Sequence, residues 1–336
     1  MATRVRVGIN GFGRIGRCVL KQLMDRDGFE VVGINDLADV DDLAYLFKYD
    51  SVHGWYSKKV ENDSESITVD GHRIAFFSAR DPKEIPWGEV GAEVIIEASG
   101  AFRGKDKAQG HIDAGARKVI ISAPSDDVDG TFVLGVNGEE YDPERHHVVS
   151  MASCTTNSLA PVAKVLQESF GIEWLMMSTV HAYTSSQSLM DTPTRKRRRG
   201  RAAALSIVPT TTGAAKATGL VLPELAGKMD GMAFRVPVPD GSVSDIVASL
   251  EREVTAEEVN AALREAAEKP PLQGILRVTG EALVSQDILG DPHSSIVDAE
   301  STMVLGGRVV KVLAWYDNEW GYSARLVDFA ELVAAS

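Results

Sequence analysis

Short apolar runs alternate with amphipathic stretches through the first third of the chain. Val5–Ile9, Glu30–Ile34, Ile67–Val69, Ile74–Phe77, Val94–Glu97 and Lys118–Ile121 read as strands, and Ile15–Met24 and Lys107–Ala114 as helices. Strands separated by helices predict a parallel sheet with right-handed crossovers. Beyond residue 153 the texture changes. Leu159–Phe170 suits a helix, and Leu175–Val180, Gly231–Val236 and Val243–Leu250 are strand-like and rich in Val, Met and Ser. With the helical stretch Ala256–Glu268, they predict a mixed or antiparallel sheet with helices on one face. The expected class is α/β: a doubly wound parallel sheet, then an α+β domain, with the boundary just before Cys154.

Length and composition agree. At 336 residues the chain exceeds one ordinary core and calls for two domains. Apolar residues make up 44% and charged residues 25%, as in an ordinary globular protein. The net charge of −13 argues against general nucleic-acid binding. Two cysteines, Cys18 and Cys154, cannot build a disulfide framework, which points to a reducing compartment and a cytoplasmic location. Met1–Asn10 lacks a signal-peptide run, and no stretch approaches the ~18 apolar residues of a membrane span.

Gly11-Phe12-Gly13-Arg14-Ile15-Gly16 lies between the first strand and the first helix. Glycines there permit a tight turn and close backbone approach, and the helix start attracts a pyrophosphate. Asp36 ends the second strand, where a carboxylate accepts ribose hydroxyls and repels a 2′-phosphate. Strand, glycines, helix and acid together predict a Rossmann-type domain that binds NAD in preference to NADP. Cys18, on the helix after the turn, reads as a small buried residue.

Cys154 sits in Ser153-Cys154-Thr155-Thr156-Asn157, where an apolar helix begins. A helix start stabilises a thiolate, so its pKa is expected below the free value of about 8.5. A thiol used with a nicotinamide suggests aldehyde oxidation through a hemithioacetal and a thioester, which requires a base. His181, ending a strand-like run, is the leading candidate, with a pKa near the free value of about 6.5. A structural role for His181 is equally open on pattern alone. His53, His72 and His111 fall in the cofactor half; His146, His147 and His293 fall in polar turns. The reading calls for no metal.

These motifs resemble the phosphorylating glyceraldehyde-3-phosphate dehydrogenases. The resemblance is carried by Asn10–Arg17, Asn35-Asp36-Leu37, Tyr49–Gly54, Ser122-Ala123-Pro124, Ser153–Asn157, His181–Thr184, Pro209–Lys216, Arg235-Val236-Pro237 and Trp315–Tyr322. It implies Cys154 as nucleophile and His181 as base. Gly11, Gly13, Arg14, Ile15, Asp36, Arg80, Ser122 and Asn318 would bind the cofactor. Thr184, Arg199 and Arg235 would hold the substrate phosphate, and Ser153, Thr155, Thr212 and Gly213 the attacking inorganic phosphate. It also implies a dinucleotide domain over 1–153, a catalytic domain over 154–316, a final helix within 317–336 packing back on the first domain, and a homotetramer. The alternatives are an erythrose-4-phosphate dehydrogenase, disfavoured by Tyr183-Thr184 and Thr211-Thr212-Gly213, and a non-catalytic binding or scaffolding relative.

Two departures stand out. The family commonly has Pro-His-Lys-Asp-Leu-Arg-Arg-Ala-Arg after the base; here Pro193–Arg201 reads Pro-Thr-Arg-Lys-Arg-Arg-Arg-Gly-Arg, with six cations in the seven residues Arg195–Arg201. In that family the loop lies near a neighbouring subunit's cofactor, so the cations could tolerate a 2′-phosphate; a solvated charge run is the plainer reading. Ser158 replaces a frequent cysteine, which removes a nearby disulfide partner for Cys154.

Overall fold

The computed structural model describes residues 4–335; Met1–Thr3, part of the expected N-terminal segment, and Ser336 lie outside them. The chain divides into two compact units. The first comprises Met1–Phe132, Glu140–Ala152 and Ser323–Ser336, and the second Val133–Glu139 and Ser153–Tyr322.

Unit 1 is built on a nine-stranded sheet. Val5–Asn10 lies at its centre, paired in parallel with Phe29–Asn35 on one side and Val94–Glu97 on the other. Lys118–Ile121, Val148–Ser150 and Gly130–Thr131 extend one wing in parallel, and His72–Phe77 the other. Ser66–Val69 and Val60–Asp63 finish that wing antiparallel. Chain order reverses across the central strand, and the crevice above such a point is where this architecture binds ligands. The crossovers include helices α1 (Arg14–Leu23), α2 (Val40–Lys48) and α3 (Lys105–Asp113). Central strands covered on both faces read as continuous apolar runs, and Val94–Glu97 and Lys118–Ile121 are buried throughout. Ser323–Ala335, the larger part of the last helix (Trp320–Ala335), belongs to this unit. Its Phe329 stacks on Phe132, and its Asp328 pairs with Arg26 at 2.6 Å.

Unit 2 is a seven-stranded mixed sheet in the order Val208–Thr211, Met229–Val236, Ile172–Ala182, Ser242–Leu250, Val309–Tyr316, Ser295–Leu305, Leu276–Thr279. Two of its pairings are parallel and four antiparallel. Helix α4 (Cys154–Phe170) lies along it, with α5 (Ala214–Val221) and α6 (Ala256–Ala267) against its flanks. No helix among the described residues is long and apolar enough to cross a membrane.

Candidate active site

The nucleophile candidate is placed by the start of α4. Ser153 caps the helix, its Oγ accepting the Thr156 N–H at 3.1 Å, and its carbonyl accepts the Asn157 N–H and side-chain amide. Cys154 is therefore the first helical residue. Just before the cap, Ala152 holds a left-handed φ of 53°, a conformation costing a non-glycine residue about 1–3 kcal/mol. Ser158, one turn on, is fully buried against the Ser244 hydroxyl at 3.3 Å, so the position is filled without a second thiol.

His181, near the end of Ile172–Ala182, brings its Nε2 to 3.5 Å from Cys154 Sγ. Its Nδ1 lies 2.7 Å from the carbonyl of Ala182 and 3.0 Å from Arg235 Nη1, which itself donates to the same carbonyl at 2.9 Å. The shorter contact is to the carbonyl, which can only accept and which also satisfies Arg235, so the ring proton is assigned to Nδ1 and the Nε2 lone pair faces the sulfur. Burial, with Arg235 adding to it, lowers the His181 pKa to about 3, against the bond to Ala182, which raises it. Burial also pushes the Cys154 thiol up, opposed by Arg235 and Thr155. Both directions correct the expectation from sequence. The helix start does not leave a preformed thiolate, and His181 is far from its free value. Both shifts act toward a neutral thiol facing a neutral imidazole.

Arg235 is the centre of a cluster of cationic and hydroxyl groups. Its Nη1 reaches Thr184 Oγ1 at 3.5 Å, and Thr184 bonds Ser186 at 2.8 Å. Arg199 reaches that Ser186 hydroxyl at 3.2 Å and Thr210 Oγ1 at 3.0 Å. Burial lowers the pKa of both guanidiniums, with Arg199 adding to the effect on Arg235; neither has a carboxylate partner among the described residues, and Arg235 Nε is buried and unpartnered. Two convergent cations with spare donors and no acid suit a phosphate. Thr212 Oγ1 accepts the Ala214 N–H at the start of α5, and the space beside the Gly213 Cα is open. Thr155 Oγ1 bonds Tyr316 OH at 3.0 Å. Asn318 accepts the Ser242 hydroxyl, whose oxygen also accepts the Ala182 N–H at 3.1 Å.

In unit 1 a cleft of about 460 Å³ lies at the strand ends and brings together Gly11, Gly13, Asp36 and Arg80. A side chain on Gly11, at φ +91°, would strike the Ser99 backbone, whereas nothing stands within 4 Å of a Cβ on Gly13. The turn is thus pressed on its wall yet open where a pyrophosphate must approach. Asp36 accepts the Phe12 N–H at 2.7 Å and the Ala38 N–H at 3.0 Å, tying the acid to the turn. Arg14 turns its side chain to Asp50 at 2.8 Å and opens α1 with Ile15, a helix without a side-chain cap. Ser122 follows Lys118–Ile121, its N–H bonded to the Glu97 carbonyl at 2.9 Å.

Comparison with known proteins agrees with this arrangement. Residues 5–105 match the family model of the glyceraldehyde 3-phosphate dehydrogenase NAD binding domain, and residues 153–318 that of the C-terminal domain. The chain belongs to the glyceraldehyde-3-phosphate dehydrogenase family. It is 55% identical to the enzyme of that name from Streptomyces coelicolor and 55% identical to that from Geobacillus stearothermophilus, each over 98% of both chains. Glyceraldehyde-3-phosphate dehydrogenase 2 of Bacillus subtilis is 53% identical over 99% of this chain and 97% of its own. The cofactor of the family is NAD, and the open turn at Gly13 with the carboxylate of Asp36 fits it.

Reading by motif missed Tyr316, Thr179 and Ser242. Tyr316 is buried, bonds both Thr155 and Thr179, and sets its ring edge-on to His181. Its neighbours in sequence carried the family resemblance, but a contact between positions 155 and 316 has no sequence signature. In the basic loop, Lys196 bonds Thr211 at 2.9 Å, Arg201 pairs with Asp191 at 3.0 Å, and Arg195, Arg197 and Arg198 are exposed.

Proposed function

We propose that this chain carries out the family's phosphorylating oxidation of glyceraldehyde 3-phosphate to 1,3-bisphosphoglycerate on Cys154, with His181 as the base. The observation that carries the assignment is the 3.5 Å approach of Sγ to a ring nitrogen whose lone pair faces it. As the sulfur adds to the aldehyde carbon, the thiol proton passes to His181 Nε2. The imidazolium then gives it to the carbonyl oxygen, forming the hemithioacetal. NAD, when bound, supplies the acceptor for the hydride. His181 removes the hydroxyl proton in that step, leaving a thioester on Cys154. Phosphate oxygen attacks the thioester, the carbon–sulfur bond breaks, and the acyl phosphate leaves; the departing sulfur takes back the proton held by His181, which regenerates the Cys154 thiol and the neutral imidazole.

Arg235, Arg199 and Thr184 are assigned the substrate phosphate, and Ser153, Thr155, Thr212 and Gly213 the attacking phosphate. Gly11, Gly13, Arg14, Ile15, Asp36, Arg80 and Ser122 are assigned the dinucleotide, and Asn318 the nicotinamide amide. A homotetramer is supported by the apolar residues Trp174, Met176, Met232 and Met303 left exposed on strands of the unit 2 sheet. A cytoplasmic location is in keeping with two free cysteines. The assay is NADH formation from NAD with glyceraldehyde 3-phosphate and with erythrose 4-phosphate, each with and without phosphate. Faster phosphate-dependent turnover of the triose is expected. No NADH from it, or preference for the tetrose, would overturn the assignment.

A further inference from the structure

Beneath the unit 1 cleft lies a buried polar chain that the chemistry above does not use. Trp87 is fully buried in the apolar cluster around Ile95, Val119 and Ile121, and its indole N–H must find an acceptor there. It donates to His111 Nδ1 at 2.9 Å. An indole can only donate, so Nδ1 carries no proton and the ring's one proton sits on Nε2. Nε2 lies 3.0 Å from Oε2 of Glu97, and both residues are essentially without solvent exposure.

Glu97 is saturated by donors. Its Oε2 also accepts the Asn10 side-chain amide, and its Oε1 accepts both the N–H and the hydroxyl of Ser99. Four donors on two oxygens specify the ionised acid. The amide of Asn10 is thereby oriented, and its oxygen accepts Asn35 Nδ2 at 2.8 Å. Asn35 in turn donates to the Ala79 carbonyl and accepts the Ala79 N–H at 2.8 Å. Asn10, Asn35, Ala79 and Ser99 all line the cleft. Ser99 is also the wall against which Gly11 is pressed.

We propose that Glu97, held from behind by His111, is the positioning residue of the cofactor cleft. From one buried carboxylate it fixes the ends of the strands Val5–Asn10 and Phe29–Asn35 and the turn at Ser99. The inference rests on NAD binding in this cleft and adds to it residues that do not touch the ligand. An apolar side chain at position 111 leaves Glu97 short of a donor and Trp87 without an acceptor. Glutamine carries both an acceptor and a donor at its tip and can restore the chain.

The test uses the full-length protein and three variants, Glu97→Gln, His111→Leu and His111→Gln. NAD dissociation constants are measured by calorimetry, and KM and kcat by assay. Glu97→Gln and His111→Leu are expected to weaken NAD binding and raise its KM at least ~10-fold, the scale of losing one buried charge-assisted bond. Kcat at saturating NAD and KM for the aldehyde should stay near wild type, and His111→Gln should recover most of the NAD affinity. Wild-type NAD affinity in both weakened candidates overturns the proposal. So does a loss in kcat and aldehyde KM as large as that in NAD binding, or a His111→Gln protein as weak as His111→Leu. If Glu97→Gln does not fold, the two His111 variants decide. Absence of NAD binding in the wild type would instead overturn the cofactor assignment itself.

Discussion

Cys154 Sγ and His181 Nε2 stand 3.5 Å apart, and burial shifts both groups toward their uncharged forms. A site of this kind holds its nucleophile as a thiol and transfers the proton only as the new bond forms. The expected consequence is that Cys154→Ala loses turnover by about 10⁴-fold or more while NAD binding persists, and His181→Asn loses about 10²–10⁴-fold. Steady-state rates and calorimetry with NAD check both. Loss of NAD binding with the thiol would show that the cysteine also serves the cofactor.

The depressed His181 pKa has a consequence for stability. The unfolded ring titrates near 6.5 and the folded ring near 3. Between those values the unfolded chain takes up a proton that the native state refuses. The stability from keeping His181 neutral is therefore complete above about pH 6.5. It falls by about 1.4 kcal/mol per pH unit as pH drops toward 3. Urea unfolding from pH 7 to pH 4 should show this loss, and His181→Asn should remove it. Equal acid slopes in the two proteins would refute it.

Arg235 donates both to Ala182 O, which also holds the His181 ring, and to Thr184 Oγ1, assigned with it to the substrate phosphate. Arg235→Gln keeps a donor of reduced reach and removes the charge. It should raise KM for the aldehyde phosphate at least ~10-fold, the scale of a charge-assisted bond. A non-phosphorylated aldehyde should be affected far less. Equal losses on both aldehydes would place Arg235 with the base alone.

How much of this was legible in the sequence depended on distance along the chain. The glycine turn and α4 announced themselves because cap, period and flanks lie within a few residues of one another. Val94–Glu97 and Lys118–Ile121 were legible from their apolar cores, Val94–Ile96 and Val119–Ile121, as strands buried on both faces. The helix Val40–Lys48 was not, although Asp39 caps it by accepting the Asp41 N–H. The hairpin of Ser295–Leu305 with Val309–Tyr316 was also missed. Its signal was Gly306-Gly307, both at positive φ, between strands. The charge states of Cys154 and His181 could not be read at all, because burial sets them and burial is a property of the assembled fold.

Ser242 is a second test of what the motifs omitted. Its hydroxyl joins Ala182, beside the base, to Asn318. Ser242→Ala frees the Asn318 amide to rotate. NAD KM should rise about 5- to 30-fold, for a cost of about 1–2 kcal/mol. A variant with unchanged NAD KM would remove Asn318 from the cofactor site.

Asp36 and the basic loop, if it reaches a bound cofactor as the family resemblance implies, would make opposite demands on the adenosine ribose. Asp36 already holds the Phe12 N–H at the glycine turn, so its charge is fixed at the cleft. NAD should be preferred over NADP by at least ~10-fold in kcat/KM, about 1.4 kcal/mol. Asp36→Ala should narrow that ratio. Equal use of both cofactors by the wild type would mean that the cations of Arg195–Arg201 outweigh the acid.

A substitution at Tyr316 tests the two halves of the proposed reaction separately. Its hydroxyl lies 3.0 Å from Thr155 Oγ1 and 2.8 Å from Thr179 Oγ1, and burial keeps it protonated. Tyr316→Phe keeps the ring edge-on to His181, so acylation of Cys154 should proceed as before. It removes the hydroxyl that bonds Thr155 at 3.0 Å, a residue assigned to the attacking phosphate. It also leaves two buried hydroxyls short of a bond, at a cost of about 1–3 kcal/mol in stability. The burst of NADH in the absence of phosphate should therefore match wild type, while KM for phosphate rises several-fold. Rapid mixing with and without phosphate measures both. A smaller burst with an unchanged phosphate KM would show that Tyr316 acts through His181 and not through Thr155.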